Sequence, residues 1–250
     1  MGTTRRSFAK KTIAATAAFS LSSFLNASGH SPASTMKIVC VGGHPDDPES
    51  GCGGTLAKFA NEGHAVTVIY LTRGEAGIEG KSHTEAAAIR TQEAMAACKI
   101  INAKPVFAGQ TDGDTIFNNE WRKKIQALIM EEQPSVVFTH WPLDAHPDHQ
   151  CASLLTIQSW FRSKKNFDLY FFEVCTGSQT MGFRPTDYID ISSVRDQKRK
   201  AVFCHASQNP EGIYSAPDCN HNLIESFRGT EAGVTAAEAF IRMRADYRAL

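Results

Sequence analysis

The stretch Met36-Lys-Ile-Val-Cys-Val-Gly-Gly-His44-Pro-Asp-Asp-Pro-Glu49-Ser-Gly51-Cys-Gly-Gly-Thr-Leu56 decides the fold. It opens with an unbroken apolar run, Lys37 to Val41, without the polar alternation of a half-exposed strand, so both faces of this strand should be covered. A polar, proline-flanked segment from Gly43 to Glu49 follows, then a helical stretch from Gly53 to Glu62 that Gly63 stops. Strand, polar turn and helix together are the first part of a βαβ unit.

The same alternation continues outward. Further strands are expected at Val66 to Leu71, Pro105 to Ala108, Ser135 to Thr139 and Asp168 to Val174, with helices at Thr84 to Ile101, Glu120 to Glu132 and Pro147 to Phe161. Strands alternating with helices give a parallel sheet covered on both faces. The expected fold is therefore one Rossmann-like three-layer α/β domain over residues 36–250, with strand order 3-2-1-4-5. An extended piece, Tyr188 to Ile191, should lead into a helix from about Ser193 to His205, where Ser193 and Asp196 have capping-box spacing.

The chain has 250 residues, 42% hydrophobic and 21% charged, which excludes disorder, collagen and coiled coil. No apolar run approaches the roughly 20 residues of a membrane span. Residues 1–27 carry Arg5, Arg6, Lys10 and Lys11 and no acid. The twin arginine before a weakly apolar segment resembles a twin-arginine export signal, so residues 1–27 are expected to be a signal, 28–35 a linker, and the protein periplasmic or secreted. Without those residues 22 basic stand against 26 acidic groups, net −4, which argues against a nucleic-acid partner. Seven cysteines without a C-x-x-C pair signal neither a thiolate zinc site nor a disulfide framework. Cys40 and Cys175, inside apolar runs, read as core thiols, and an isolated disulfide after export is left open. The oligomeric state is also open, a homo-oligomer included.

In the order 3-2-1-4-5 the first and fourth strands are neighbours at the switch point, where ligands bind beyond the carboxyl ends. The two most histidine-rich polar segments follow those strands: Gly43 to Glu49, and His140-Trp-Pro-Leu-Asp144-Ala-His146-Pro-Asp148-His149. Adjacent carboxylates between prolines repel each other unless a cation or donors face them. His44 and Asp47, three apart on a turn, can converge on one ion, and a histidine from the neighbouring strand end completes a two-His, one-carboxylate set with an open position, the catalytic zinc pattern. His149, at a helix start, is the third ligand. His146, oriented by Asp148, is then free to stabilise an oxyanion or donate a proton. The competing reading has Asp46, Asp47 and Glu49 capping the helix against its dipole, which Glu49 is expected to do. His140 and His205 read as outer support, and His64, His83 and His221 as turn, pre-helix and loop residues.

Three blocks besides the first carry a resemblance: Leu71-Thr-Arg-Gly-Glu-Ala-Gly, His146-Pro-Asp-His149, and the later Lys198-Arg-Lys-Ala-Val-Phe-Cys-His205-Ala-Ser-Gln208 with Ala237-Glu-Ala-Phe240. From about Lys37 to Met243 the chain resembles the zinc-dependent N-acetylglucosaminyl deacetylases of the PIG-L/LmbE-like family, which includes the deacetylases of glycosylphosphatidylinositol, mycothiol and bacillithiol synthesis. The resemblance implies Zn2+ held by His44, Asp47 and His149, with Asp46 as general base to metal-activated water. His146 with Asp148 falls on the oxyanion side, and Arg73, Glu75, Arg90 and Asp112 on or near the sugar. The substrate implied is a small carbohydrate bearing an N-acetylated amino sugar. Pro48 and Ala145 depart from parts of the family and leave substrate identity open. The rival readings are a zinc amidase or esterase on another conjugate, and a non-catalytic zinc or carbohydrate-binding protein.

Overall fold

Strand β1 (Lys37–Gly42) runs through the middle of the sheet, parallel to β2 (Ala65–Tyr70) on one side and to β4 (Val136–His140) on the other. Outside them lie β3 (Lys104–Phe107) and β5 (Asp168–Phe172), also parallel. The computed structural model describes residues 35–176, 178–216 and 220–244. The expected export signal, and the linker up to residue 34, lie outside the described residues.

The order 3-2-1-4-5 holds and is extended by two strands, β6 (Asp187–Asp190) and β7 (Ala237–Arg242), giving β3-β2-β1-β4-β5-β7-β6. The added edge is antiparallel: β7 pairs with β5 on one side and β6 on the other. Ala237-Glu-Ala-Phe240 carries helix-forming residues, and its pairing from both sides overrides that propensity. Successive β1 residues serve opposite faces. Ile38 and Cys40 join a core with Leu56 of α1 (Asp47–Asn61) and Ala94, Ala97 and Cys98 of α2 (His83–Ile100). Val39 and Val41 join one with Ile125 and Ile129 of α3 (Asn119–Glu131) and Leu155 of α4 (Pro147–Arg162). Both faces of the strand are dry, as the unbroken apolar run requires.

Three expectations are corrected. Helix α1 begins at Asp47 rather than Gly53, so the acidic motif is itself the helix start. Glycine disfavours a helix interior, but at Gly51 a Cβ would collide with the Phe172 ring, so this part of the helix lies too close to β5 for a side chain. Helix α5 spans only Arg195–Val202, its N-cap is Val194, and no side chain caps it, so Ser193 and Asp196 form no capping box. Cys175 is disulfide-bonded rather than a core thiol, whereas Cys40, Cys52, Cys98, Cys151 and Cys204 are free.

After α5 the chain makes a short turn of helix, then α6 (Pro210–Ser215) and α7 (His221–Ala232). Lys198 of α5, 1% exposed, lies 3.0 Å from Glu225 of α7 and 2.8 Å from Glu238 of β7. Glu238 in turn accepts the backbone N–H groups of Gly54 and Thr55 in α1 at 2.9 and 2.7 Å. This buried charge network fastens the C-terminal third to the helix that starts at the motif.

Candidate metal centre and pocket

The turn after β1 and the start of α4 meet over the carboxyl ends of β1 and β4. Asp47, the first residue of α1, is buried between two imidazoles: its Oδ2 lies 3.1 Å from His44 Nδ1 and its Oδ1 3.2 Å from His149 Nε2. Ligand atoms at about 2.0–2.1 Å from a tetrahedral zinc stand roughly 3.3 Å apart, and each of these two separations is near that value, though they use different oxygens of Asp47. Among the described residues, the three-group clusters whose ligand atoms all lie within 4.8 Å of one another are His44 with His146 and His149, Asp47 with His140 and His149, and His44 with Asp112 and Asp148. The outward nitrogen of each imidazole meets a carboxylate. His44 Nε2 is 3.0 Å from both Asp112 and Asp148, and His149 Nδ1 is 3.0 Å from Asp144. Carboxylates in that position fix the ring and raise its basicity as a ligand.

Without an ion, carboxylates set the charges. Burial opposes protonation of His44, but Asp112, Asp148 and Asp47 raise its pKa well above the usual histidine range. Burial likewise opposes protonation of His149, yet Asp47 and Asp144 bring it up to about 9. Asp47, which burial alone would push up, is held well below the carboxylate range by His149 and His140. A cation taking the place of those protons keeps the same balance of charge.

The cluster that contains Asp47 is completed by His140 and His149. His140 Nε2, however, accepts the Gly43 N–H at 3.0 Å, so that lone pair is occupied, and its Nδ1 is buried without a partner. Burial, and then the charge on His149, lower its pKa to about 4. It stacks on His149 with ring centroids 4.0 Å apart, a support rather than a ligand. His205, also expected in an outer position, is buried 3.6 Å from Glu49.

Asp46 is the N-cap of α1, with φ 104, a backbone state that costs a non-glycine residue on the order of 1–3 kcal/mol. Glu49 Oε2 accepts its N–H at 3.2 Å, so Glu49 supports the helix start as expected. The Asp46 carboxylate lines a pocket of about 380 Å³, 3.3 Å from Arg90 and in none of the three-group clusters that could hold an ion. Burial pushes its carboxyl up to about 6, against the pull of Arg90.

His146, the N-cap of α4, lines the same pocket, its ring 4.7 Å from His44 and 4.8 Å from His149. The expected pairing of its imidazole with the Asp148 carboxylate is not formed. His146 Nδ1 accepts the Asp148 backbone N–H at 3.3 Å, while the carboxylate faces His44 and accepts from Gly113 N–H at 2.8 Å and the Thr115 hydroxyl at 2.6 Å. With Nδ1 as acceptor, the proton of the neutral ring resides on Nε2. Burial, followed by the charges on His44 and His149, lowers the His146 pKa.

Of the four residues placed near the sugar, Arg90 and Asp112 line the pocket. Arg73 is exposed with its guanidinium 5.4 Å from the Phe107 ring centre, and Glu75 accepts the Arg73 N–H at 2.9 Å, so neither is among the lining residues. The rest of the lining comes from Cys175, Gln179, Ile213 and His221, to which the sequence assigned no site role, and from Gln208, the last residue of the Lys198–Gln208 block that carries the resemblance. His221, expected in a loop, is buried at the start of α7.

Residues 39–160 match the family described as PIG-L, GlcNAc-PI de-N-acetylase. The diacetylchitobiose deacetylase of Thermococcus kodakarensis is 32% identical over 216 residues, covering 81% of each chain. The 4-oxalmesaconate hydratase of Pseudomonas putida is 28% identical over 232 residues, covering 81% of this chain and 85% of its own. The solved N,N′-diacetylchitobiose deacetylase of Pyrococcus horikoshii superposes with a TM-score of 0.74 at 26% identity, over 97% of this chain and 94% of that one. With this sheet order, this motif placement and that identity, the chain belongs to the PIG-L family.

Proposed function

We propose that the protein is a zinc-dependent hydrolase that removes the acetyl group from an N-acetylated amino sugar. The observation that carries this reading is Asp46, a carboxylate that lines the pocket with His44, Asp47 and His149 and stands 3.3 Å from Arg90, whereas Asp47 meets His44 and His149. Pure binding gives such a group no task; hydrolysis needs a base there. The deacetylases among the relatives support the same bond as the target.

His44, Asp47 and His149 would hold the zinc, which polarises the acyl oxygen and acidifies water when bound. Asp46 accepts the proton of the attacking water, and burial raises its carboxyl toward a useful working range. His146 donates from Nε2 to the oxygen on which negative charge develops. Arg90 is the sole Arg or Lys among the described lining residues and is already paired with Asp46, while Asp112 adds negative charge. That balance favours a neutral glycan over a multiply charged carboxylate such as 4-oxalmesaconate.

The test is acetate release from N,N′-diacetylchitobiose by the zinc-loaded protein, its loss on chelation and its return with added zinc. Absence of acetate from every N-acetylated amino sugar tried would overturn the reading, and hydration of 4-oxalmesaconate would replace it.

We also propose that the protein works after export. The twin arginine Arg5-Arg6 and the disulfide at Cys175 both suit an oxidising compartment. Changing Arg5 and Arg6 to Lys should leave the full-length chain in the cytoplasm of a bacterial host, as read by cell fractionation; unchanged export would refute the signal.

A further inference from the structure

The short turn of helix after α5, Ala206–Gln208, brings to the pocket a side chain that the chemistry above does not use. Gln208 Nε2 donates to the Gly77 carbonyl at 3.1 Å and to the Ser207 hydroxyl oxygen at 3.0 Å. A carbonyl oxygen can only accept. The Ser207 hydroxyl spends its proton on Glu93 of α2, 2.7 Å away, so toward Gln208 its oxygen also accepts. Both neighbours therefore demand the nitrogen end of the amide, and the orientation of the side chain is forced by its partners. Glu93 accepts the Ser207 backbone N–H as well, at 2.8 Å, which ties the whole turn to α2. Both amide hydrogens of Gln208 are thus spent. Its Oε1 is the atom left over, and among the described residues no group donates to it.

We infer that Gln208 Oε1 is a fixed acceptor for a hydroxyl of the sugar, which makes Gln208 a specificity-determining residue. The inference rests on the reading of the protein as an amino-sugar deacetylase. An amide free to turn could meet a donor or an acceptor equally well, but this one offers the pocket an oxygen alone. Sugar hydroxyls supply the matching donor. A carboxylate or phosphate in the same place would set oxygen against oxygen and be rejected. Because Gly77 and Ser207 already hold the side chain, little of its freedom remains to be lost when the sugar binds.

The test compares Gln208→Met and Gln208→Ala with the wild type on N,N′-diacetylchitobiose, with zinc content and far-ultraviolet circular dichroism measured on each. Both variants should keep zinc and fold, and KM should rise about 3- to 10-fold, the loss of one neutral hydrogen bond, with a smaller change in kcat. A set of analogues of the same disaccharide, each lacking one hydroxyl, then separates contact from mere packing. One analogue should cost the wild type a similar factor in kcat/KM and cost Gln208→Met nothing further, because the bond is already gone. Unchanged KM in both variants would overturn the inference. So would a deficit that stays the same for Gln208→Met and the wild type on every analogue, which would leave the amide as a clip between Gly77 and Ser207. A fall in kcat with KM held would overturn it too. If Gln208→Met does not fold, Gln208→Ala carries the same comparison. Wild-type protein that releases no acetate would instead remove the deacetylase reading, so the two failures are distinguishable.

Discussion

Asp46 and Asp47 are neighbours in sequence with opposite environments. Asp47 sits between two imidazoles and is held ionised, whereas Asp46 faces the pocket and burial raises its carboxyl to about 6. Asp46→Asn should therefore retain zinc and lose about 10²-fold or more in turnover, since the amide cannot accept a proton, whereas His149→Ala should come without stoichiometric zinc. Metal analysis of the two purified variants separates the roles; zinc missing from Asp46→Asn would exchange Asp46 with Asp47. Asp148 is a second case. Its carboxylate faces His44 Nε2 rather than His146, so Asp148→Asn should weaken zinc binding by about 10- to 100-fold. A competition titration with a chelator reads this directly. Unchanged zinc affinity with a kcat defect would place Asp148 on His146 instead.

Helix α1 shows how an element can carry a weak propensity for a packing reason. Gly51, Gly53 and Gly54 would each be better helix formers as alanine, but α1 lies against β5 and against Ile191, whose Cγ2 would stand 2.8 Å from a Cβ on Gly54. Gly51→Ala should cost about 1–3 kcal/mol through displacement of the Phe172 ring or of the helix. Urea unfolding measures it, and a stabilising change would mean that the ring has room to move. Because Asp46 caps this helix and Asp47 begins it, the same variant should also disturb zinc binding, which ties the packing of the element to the site.

At the scale of the whole molecule, the C-terminal third closes the sheet edge with β6 and β7 and lines the pocket through Gln208, Ile213 and His221. Lys198 joins it to the rest. Held by Glu225 and Glu238, its ammonium keeps a raised pKa in spite of burial. Removing one partner of a buried ion network leaves uncompensated charge, so Lys198→Met should destabilise by about 3–5 kcal/mol in reversible denaturation. A neutral result would show that Arg195, 2.8 Å from Glu225, and the α1 backbone donors suffice for the two carboxylates.

What the sequence alone determined follows from local rules. Unbroken apolar runs alternating with helices imply a parallel sheet, and the switch point between β1 and β4 places two polar segments together, so Asp47 lies close to His44 and to His149. The five parallel strands and their order were legible for the same reason. The edge β7 was not, since its Ala and Glu residues extend only because two strands pair with them. Nor could spacing show which carboxylate serves which imidazole: Asp148 and His146 are two apart, yet the Asp148 side chain meets a histidine from the other strand end. The buried path of Arg90 past Gly74 to Asp46, and the far wall of the pocket, join residues distant in the chain. Those contacts depend on how the elements pack, which no local pattern encodes, and the tertiary structure alone decided them.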